Sequence, residues 1–244
     1  MTRVGIVGGL GPESTIDYYR RILEVWGRED ASTAPAIVID SLDVQKGLRL
    51  VEQDRPALVA YLVDSVRRLA GAGADFAAMT ANTPHIVFDD VAARSPIPLI
   101  SIVEVCAREA QRRGLRRLGL LGTRFTMEAP FYPAVCARHG LTVVTPGETD
   151  REWIHARYIG ELLKGEFRED TRRAFTSLVS QLCASSAIDG VILGGTELPL
   201  LLRAPVVADI PALDTAALHV DAIVERLHHA DGGEPTLRAG PTTR

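Results

Sequence analysis

The side chains that could do chemistry are concentrated in two short polar stretches. Residues 79–85 read MTANTPH and residues 193–199 read LGGTELP, and each stretch follows an apolar run. Hydroxyls and backbone N–H groups at the end of a strand are suited to holding a carboxylate or a phosphate. The same residue types also make ordinary turns and helix caps. Because they recur after several strands, we interpret them as ligand-binding residues: Asn82, Thr83, Thr196, and Thr123 with Thr126 in LGTRFTME.

Another polar strand end, GGLGPES, lies near the N-terminus. Its glycines, beginning at Gly9 after the apolar run, would let the backbone approach a ligand closely, and Ser14 is predicted to cap the following helix. The stretch lacks the GxGxxG spacing of dinucleotide-binding loops, and Glu13 would repel a pyrophosphate, although Asp40 lies at a suitable distance for a ribose contact. The residues therefore argue against a nucleotide cofactor.

Composition places the chain among ordinary globular proteins. Of its 244 residues, 46% are hydrophobic and 24% are charged, which is enough apolar material for a substantial core. A net charge of −4 gives no electrostatic reason to expect nucleic acid or an anionic membrane as a partner. No apolar run approaches the roughly 18–20 residues of a membrane span or the form of a secretory signal. We expect a cytoplasmic protein with no membrane attachment.

The three cysteines, Cys106, Cys136 and Cys183, do not suggest a disulfide or a metal site. Their number is odd, and no two of them have CxxC spacing. Buried free thiols are the usual state of such cysteines in a cytoplasmic protein. We therefore expect no metal.

Short apolar runs alternate with helical patterns along the chain. Six runs predict buried parallel strands, at residues 4–7, 36–39, 76–79, 118–121, 142–144 and 191–193. Four segments have a helical period, at residues 15–26, 56–70, 152–164 and 171–184, the first with Ile16, Tyr19, Leu23 and Trp26 on one stripe. This alternation predicts an α/β fold with mostly parallel sheets.

An internal repeat divides the chain into two similar halves. RVGIVG begins at Arg3 and RLGLLG at Arg117, while DFAAMTANTP begins at Asp75 and DGVILGGTEL at Asp189. The offsets 117 − 3 and 189 − 75 both equal 114. A period of this size indicates a duplicated α/β unit and not a solenoid, whose repeats are about 20–50 residues long.

The duplication predicts two pseudo-symmetric, Rossmann-like α/β domains with parallel sheets and a site between them. We assign residues 1–102 and 215–230 to the first domain, residues 103–214 to the second, and residues 231–244 to a flexible tail rich in Gly, Pro and Thr. Ligands of open parallel sheets bind beyond the carboxyl ends of the strands. The two polar stretches occupy equivalent strand ends, so we expect them to form two walls of one cleft.

Five motifs in order give the chain a specific resemblance. GIVGGLGPESTIDYY, ANTPH, LLGTRFTM, GGTEL and ALDTAALH resemble the aspartate/glutamate racemase superfamily over nearly the whole chain, to about residue 230. This superfamily contains cofactor-independent amino-acid racemases and related decarboxylases and isomerases. The resemblance implies two pseudo-symmetric α/β domains, an active site between them, no cofactor, a small carboxylate or amino-acid substrate, and a homodimer.

The sequence departs from the racemase pattern at its two most important positions. Family racemases carry one cysteine before the Asn-Thr of the first motif and another before the Thr-Glu of the second, and the two thiols act on opposite faces of the substrate Cα. Here Ala81 and Gly195 stand at these positions. The resemblance assigns a set of residues to substrate binding: Gly9 in the first loop, Asn82, Thr83, Thr123, Thr126 and Thr196, with Lys164 toward a distal carboxylate.

Loss of both thiols changes the expected chemistry. Removing an α-proton needs a base within about 3 Å of the carbon on the correct face, and neither a methyl group nor a hydrogen can supply one. Glu197, His85 and Thr196 are the remaining catalytic candidates, Glu197 if burial raises its pKa and His85 if it is not simply a packing residue. The smaller residues at 81 and 195 also predict a wider cleft.

Three functional hypotheses follow. The first is an enzyme that acts on a small carboxylate or amino acid by lyase, decarboxylase or isomerase chemistry, because carboxylate-directed donors can stabilise an enolate-like state even without the thiols. The second is an amino-acid racemase that uses substitute bases such as His85 or Glu197. The third is a ligand-binding homologue that has lost catalysis.

Overall fold

The structure, a computed structural model, describes residues 2–203 and 205–229. The stretch interpreted as a tail, residues 231–244, lies outside the described residues. Two sheets, each covered by helices, form the α/β fold that the sequence predicts. In the described part of the chain, no helix is both long and apolar enough to cross a membrane.

The first sheet has four parallel strands in the order β2-β1-β3-β4. Their bounds are β1 Arg3–Gly8, β2 Ala36–Ser41, β3 Phe76–Met79 and β4 Leu99–Ile100. The second sheet has five strands in the order β6-β5-β7-β9-β8, parallel except for the β8–β9 pair. Their bounds are β5 Arg117–Gly122, β6 Thr142–Val144, β7 Gly190–Gly194, β8 Val206–Val207 and β9 Ile210–Asp214.

Eleven α-helices and two 3-10 turns connect the strands in the described chain. The helices are α1 Pro12–Glu29, α2 Val44–Gln53, α3 Arg55–Gly71, α4 Phe88–Arg94, α5 Ile102–Arg112, α6 Arg124–Glu128, α7 Phe131–Arg138, α8 Glu148–Gly160, α9 Glu169–Ser186, α10 Leu198–Leu202 and α11 Thr215–His229. The 3-10 turns are Thr83–Val87 and Leu162–Lys164. The helix predicted over residues 152–164 therefore begins earlier and stops at Gly160.

The two sheets repeat each other in detail. Val7 on β1 pairs with Met79 on β3, and Leu121 on β5 pairs with Leu193 on β7, so both partners shift by 114 residues. The entry to each first strand repeats as well: Asp75 accepts from the Arg3 amide at 2.8 Å, and Asp189 accepts from the Arg117 amide at 2.9 Å. The sequence repeat therefore corresponds to a repeated strand register.

The last helix returns to the first sheet after the chain has completed the second. Three apolar residues of α11, Ala216, Val220 and Ile223, join a core cluster with β1, β3 and α1. Between the halves, α11 also packs against α5, whose Ile102 and Cys106 belong to the core of the second sheet. This crossing connection ties the two sheets together.

The predicted apolar stripe of α1 is confirmed at Trp26, which is buried, and is wrong at its other three residues. Ile16, Tyr19 and Leu23 are 44%, 45% and 38% exposed. The buried face instead runs along the i, i+4 row Ser14, Tyr18, Ile22 and Trp26. Ser14 and Tyr18 are polar at their tips, so hydrophobicity alone gives the wrong face.

The predicted cap at Ser14 is also wrong. The hydroxyl of Ser14 donates to the carbonyl of Thr80 at 2.9 Å, and the helix begins after Gly11 without a side-chain cap. Thr15 instead holds the loop that precedes the helix, because its Oγ1 accepts from the amide of Gly9 at 2.8 Å. The first loop is thereby held against the end of β3.

Candidate active site between the two sheets

A cleft lies at the carboxyl ends of β3 and β7, where the two polar stretches meet. Both stretches line it, through residues 81–84 and 194–197, together with Thr123. The remaining lining residues come from the β1–α1 loop, α2, α3, α8 and the second 3-10 turn: Leu10, Val44, Gly47, Leu48, Val51, Leu58, Tyr158 and Leu163. The equivalent strand ends therefore form one site, as the repeat predicts.

Three threonine hydroxyls form a cluster that joins the two halves. Thr83 Oγ1 lies 2.9 Å from Thr123 Oγ1 and 3.1 Å from Thr126 Oγ1, and the latter two oxygens are 3.2 Å apart. Thr123 also caps α6, since its hydroxyl accepts from the Thr126 amide. Thr83 follows β3 and the other two follow β5, so the cluster spans both sheets. Hydroxyls that can rotate toward a bound oxygen are suitable donors to a carboxylate.

Asn82 is buried and held at both ends of its amide. Its Oδ1 accepts from Tyr132 Oη at 2.5 Å, and its Nδ2 donates to Thr215 Oγ1 at 3.1 Å. Thr215 in turn donates to the carbonyl of Leu193 at 2.8 Å. One amide hydrogen of Asn82 remains for a ligand, and its position is fixed by these contacts.

Glu197 is a buried carboxyl group with one oxygen engaged and one without a partner. Its Oε2 accepts from the hydroxyls of Tyr158 and Thr196. In the described chain its Oε1 has no hydrogen-bond partner, and a side chain at Gly11 would collide with it. Burial raises the pKa of Glu197 to about 6, against the opposing effect of the hydrogen bonds from Tyr158 and Thr196. A carboxyl group of this pKa can act as either acid or base near neutral pH.

Tyr158, which the sequence did not single out, fills the space beside Gly195. A Cβ placed on Gly195 would lie 2.5 Å from Tyr158 Oη and 2.7 Å from Cζ. The predicted widening of the cleft is therefore wrong at position 195, because the phenol of Tyr158 takes the room that a side chain there would need. Burial, and then the nearby charge of Glu197, raise the pKa of Tyr158 well above its usual value, so the phenol stays a donor.

Ala81 lines the cleft with a methyl group from the other sheet. The functional group that a cysteine would supply at position 81 is thus missing, whereas position 195 has a phenol and a carboxyl group beside it. Proton-transferring groups are concentrated on the second-domain side of the cleft.

The hydroxyl of Thr196 contacts other protein groups on the wall of the cleft. Its hydroxyl lies 3.3 Å from Glu197 Oε2 and 3.5 Å from the carbonyl of Thr80. A threonine hydroxyl held in this way helps to position the carboxyl group of Glu197.

His85 makes structural contacts with both ring nitrogens. Nδ1 lies 3.0 Å from the carbonyl of Ala81, and Nε2 lies 3.2 Å from the amide of Ile102. The carbonyl requires a proton on Nδ1, and the amide occupies the lone pair of Nε2. Burial, followed by the proximity of His219, lowers the pKa of His85 to about 3. His85 does not line the cleft, and both of its ring nitrogens are engaged within the protein, so the prediction that it is a candidate base is wrong.

Gly9 and Lys164 also lie outside the set of cleft-lining residues. Gly9 has φ +78° and packs so closely on Leu42 that a Cβ would meet the Leu42 amide nitrogen at 2.5 Å. Its neighbour Leu10 lines the cleft instead. Lys164 is exposed, and Leu163 is the residue of that turn that faces the cleft. Because adjacent residues of a 3-10 turn point in different directions, the cleft is lined here by the apolar Leu163 and not by the charged Lys164.

No metal site is evident in the described ranges, where no three His, Cys, Asp or Glu side chains are grouped to hold an ion. The polar groups of the cleft are hydroxyls, one amide, one carboxyl and one phenol. Such a set can bind an organic anion and transfer a proton.

The comparisons with known proteins agree with this architecture. An aspartate racemase homologue from Pyrococcus horikoshii OT3 is 33% identical, with a TM-score of 0.79 over 94% of this chain and 100% of that one. The aspartate racemase of Picrophilus torridus has the same fold, with a TM-score of 0.75 at 19% identity over 93% of this chain and 95% of that one. The broad specificity amino-acid racemase RacX of Bacillus subtilis (strain 168) is 23% identical over 221 residues, 88% of this chain and 93% of its own.

The family model described as Asp/Glu/Hydantoin racemase matches residues 7–223. This range begins at the end of β1 and includes both polar stretches and most of α11, so it covers every residue that lines the cleft. The chain belongs to the Asp/Glu/hydantoin racemase family.

Proposed function

We propose that this protein is a cofactor-free enzyme that transfers a proton at the carbon next to a carboxylate, on one face only. The observation that carries the proposal is the pair Tyr158–Glu197 beside Gly195, with the methyl group of Ala81 at the equivalent position of the other sheet. A two-base racemase needs an acid or base on each face, whereas this arrangement offers one.

The carboxylate end of the substrate is assigned to the donors that both halves contribute. Thr83 and Thr123 line the cleft and supply hydroxyls, which the buried Thr126 holds in place from behind, and Asn82 supplies an amide hydrogen. These groups are held by contacts with one another or with the protein, so they need little reorganisation when negative charge develops. Preorganised donors of this kind stabilise an enediolate-like state.

A decarboxylation illustrates the electron balance. The bond from Cα to a second carboxylate breaks, carbon dioxide leaves, and the electron pair delocalises into the carboxylate held by the threonines. Glu197, in its protonated form, then delivers its proton to Cα, and the anion of Glu197 is reprotonated from solvent. In an isomerisation or an elimination, the ionised Glu197 would act as the base and remove a proton from Cα. Tyr158 positions the carboxyl through its hydrogen bond to Oε2.

The test is incorporation of deuterium. The protein is incubated in D2O with a panel of amino acids and 2-substituted malonates. Proton NMR is expected to show product with one deuterium at Cα, and chiral chromatography is expected to show a single configuration. Glu197→Gln is expected to reduce the rate by about 10²–10⁴-fold, the usual contribution of a general acid or base. Unchanged turnover in Glu197→Gln would remove the carboxyl from the mechanism.

Amino-acid racemisation is the second candidate, and the family membership favours it. In that case L- and D-aspartate or other amino acids would exchange their α-proton in D2O and interconvert. Equal rates of exchange from both enantiomers would favour racemisation over the one-face reaction. Binding without exchange or turnover across the panel would favour a ligand-binding homologue.

A cytoplasmic location and a homodimer are part of the same proposal, and light scattering of the purified chain tests the latter.

A further inference from the structure

The wall of the cleft on the first-domain side is apolar. One face of α2 supplies Val44, Gly47, Leu48 and Val51, at the spacing i, i+3, i+4 and i+7 that places residues on one stripe of a helix. Asp43 fixes the start of this helix, since its carboxylate accepts from the amides of Gln45 and Lys46.

Apolar side chains from three other segments extend this wall. Leu10 packs against α2 so closely that a Cβ on Gly47 would lie 2.9 Å from its Cδ2. Leu58 from α3 and Leu163 from the second 3-10 turn also line the cleft. We call this set the apolar wall: Leu10, Val44, Leu48, Val51, Leu58 and Leu163.

No lysine or arginine is among the cleft-lining residues of the described chain. The nearest cations in sequence are engaged elsewhere or exposed. Lys46 lies over the ring of Tyr61, 4.4 Å from its centroid, and Arg124 pairs with Glu52 at 3.6 Å. A carboxylate at the end of the substrate's side chain would therefore lose its hydration against the apolar wall without gaining a counter-ion, which is unfavourable.

We infer that the substrate carries, beside the carboxylate bound by the threonines, an apolar substituent that packs on the apolar wall. This inference rests on the proposed function for the location of the reacting carboxylate. It assigns to the site an acid whose side chain is hydrophobic, in place of one with a carboxylate at the end of its side chain, and it leaves open a leaving carboxylate on Cα itself. Burying such a substituent gains about 0.8 kcal/mol per methylene, or about fourfold in affinity.

Two probes of matched size test the inference by calorimetric titration of the full chain. 4-Methylpentanoate and succinate share one carboxylate and a spacer of two methylenes, and they differ only in whether an isopropyl group or a second carboxylate stands at the other end. We expect 4-methylpentanoate to bind at least about tenfold more tightly. Tighter binding of succinate, equal binding, or no binding of 4-methylpentanoate at millimolar concentration overturns the inference.

Substitutions on α2 assign the preference to the apolar wall. Leu48→Lys is expected to reduce the preference for 4-methylpentanoate by about tenfold or more, because it places a cation among the lining residues. Val44→Thr, of nearly equal shape, gives a second variant in case Leu48→Lys does not fold. Leu23→Ala is the control, since Leu23 is an exposed leucine of α1 outside the cleft. Preference unchanged in both α2 variants overturns the assignment.

The same samples separate this inference from the proposed function. If 4-methylpentanoate binds preferentially but no member of the D2O panel exchanges or reacts, the one-face chemistry fails and the selectivity of the cleft stands. If succinate binds in preference to 4-methylpentanoate and a proton is transferred in the D2O panel, the chemistry stands and the inference fails.

Discussion

Tyr158 occupies the volume that a side chain at Gly195 would need, so that a Cβ at position 195 would lie 2.5 Å from Tyr158 Oη. Tyr158 belongs to α8, and Gly195 directly follows β7. The hydroxyl of Tyr158 donates a hydrogen bond to the carboxyl group of Glu197. The position of one lost family cysteine is thus connected directly to the buried carboxyl group.

Gly195→Ala is expected to destabilise the protein by about 1–3 kcal/mol, because the added methyl group must displace a buried ring. Denaturant unfolding measures the change. Gly27→Ala is the matched control, since nothing lies within 4 Å of a Cβ on Gly27 in α1, and alanine is the better helix former there. Equal effects of the two substitutions would contradict the packing of Tyr158 described above.

Glu197 makes the free energy of unfolding depend on pH in a defined direction. Because its folded pKa of about 6 lies above the ordinary value of 4.5, the folded state binds its proton more tightly than the unfolded state. This stabilisation is complete below pH 4.5 and is lost as pH rises through about 6. Relative to Glu197→Gln, the wild-type protein should lose roughly 1–2 kcal/mol across that window. Parallel stability curves for the two proteins would show that Glu197 does not titrate in this way.

Tyr158→Phe is expected to shift the pH profile of turnover toward higher pH. The ring still fills the space beside Gly195, but the hydrogen bond that lowers the pKa of Glu197 is gone. The pH dependence of kcat/KM for whichever substrate the deuterium panel identifies measures the shift. A profile that falls in amplitude without moving would mean that Tyr158 donates the proton itself.

Thr83→Val tests the threonine cluster. Valine keeps the shape but removes the hydroxyl that reaches Thr123 and Thr126 across the two halves. We expect a loss of roughly 1 kcal/mol in stability and about a tenfold loss in affinity for the carboxylate. Thr142→Val on β6 is the control, since Thr142 is exposed and far from the cluster in sequence. Unchanged carboxylate affinity would exclude Thr83 from the binding site.

His85→Ala is expected to reduce stability and to leave the rate per folded molecule unchanged. The substitution deprives the Ala81 carbonyl and the Ile102 amide of their partner, at about 1–3 kcal/mol for each buried group. Thermal unfolding and turnover of the folded fraction measure the two effects, with the exposed His229→Ala as control. A large loss of turnover with full stability would restore His85 as a catalytic candidate.

The sequence by itself determined the α/β class, the duplication and the identity of the two polar stretches. Apolar runs bounded by Gly, Thr and Asp define β1, β3, β5 and β7, and the offset of 114 recurs in their register. These features are local or periodic, so they can be read along the chain. The departures at Ala81 and Gly195 are equally visible, because they fall inside recognisable motifs.

The tertiary structure decided which neighbours these residues have. Tyr158 lies 37 positions from Gly195, and no motif marks it as a partner of Glu197. The roles of His85 and Lys164 likewise depended on the direction in which each side chain leaves its 3-10 turn. Sequence patterns fix that direction only to within a residue or two. The apolar wall depended on the docking of α2 over the strand ends. Contacts of this kind come from packing between distant segments, so only the folded chain specifies them.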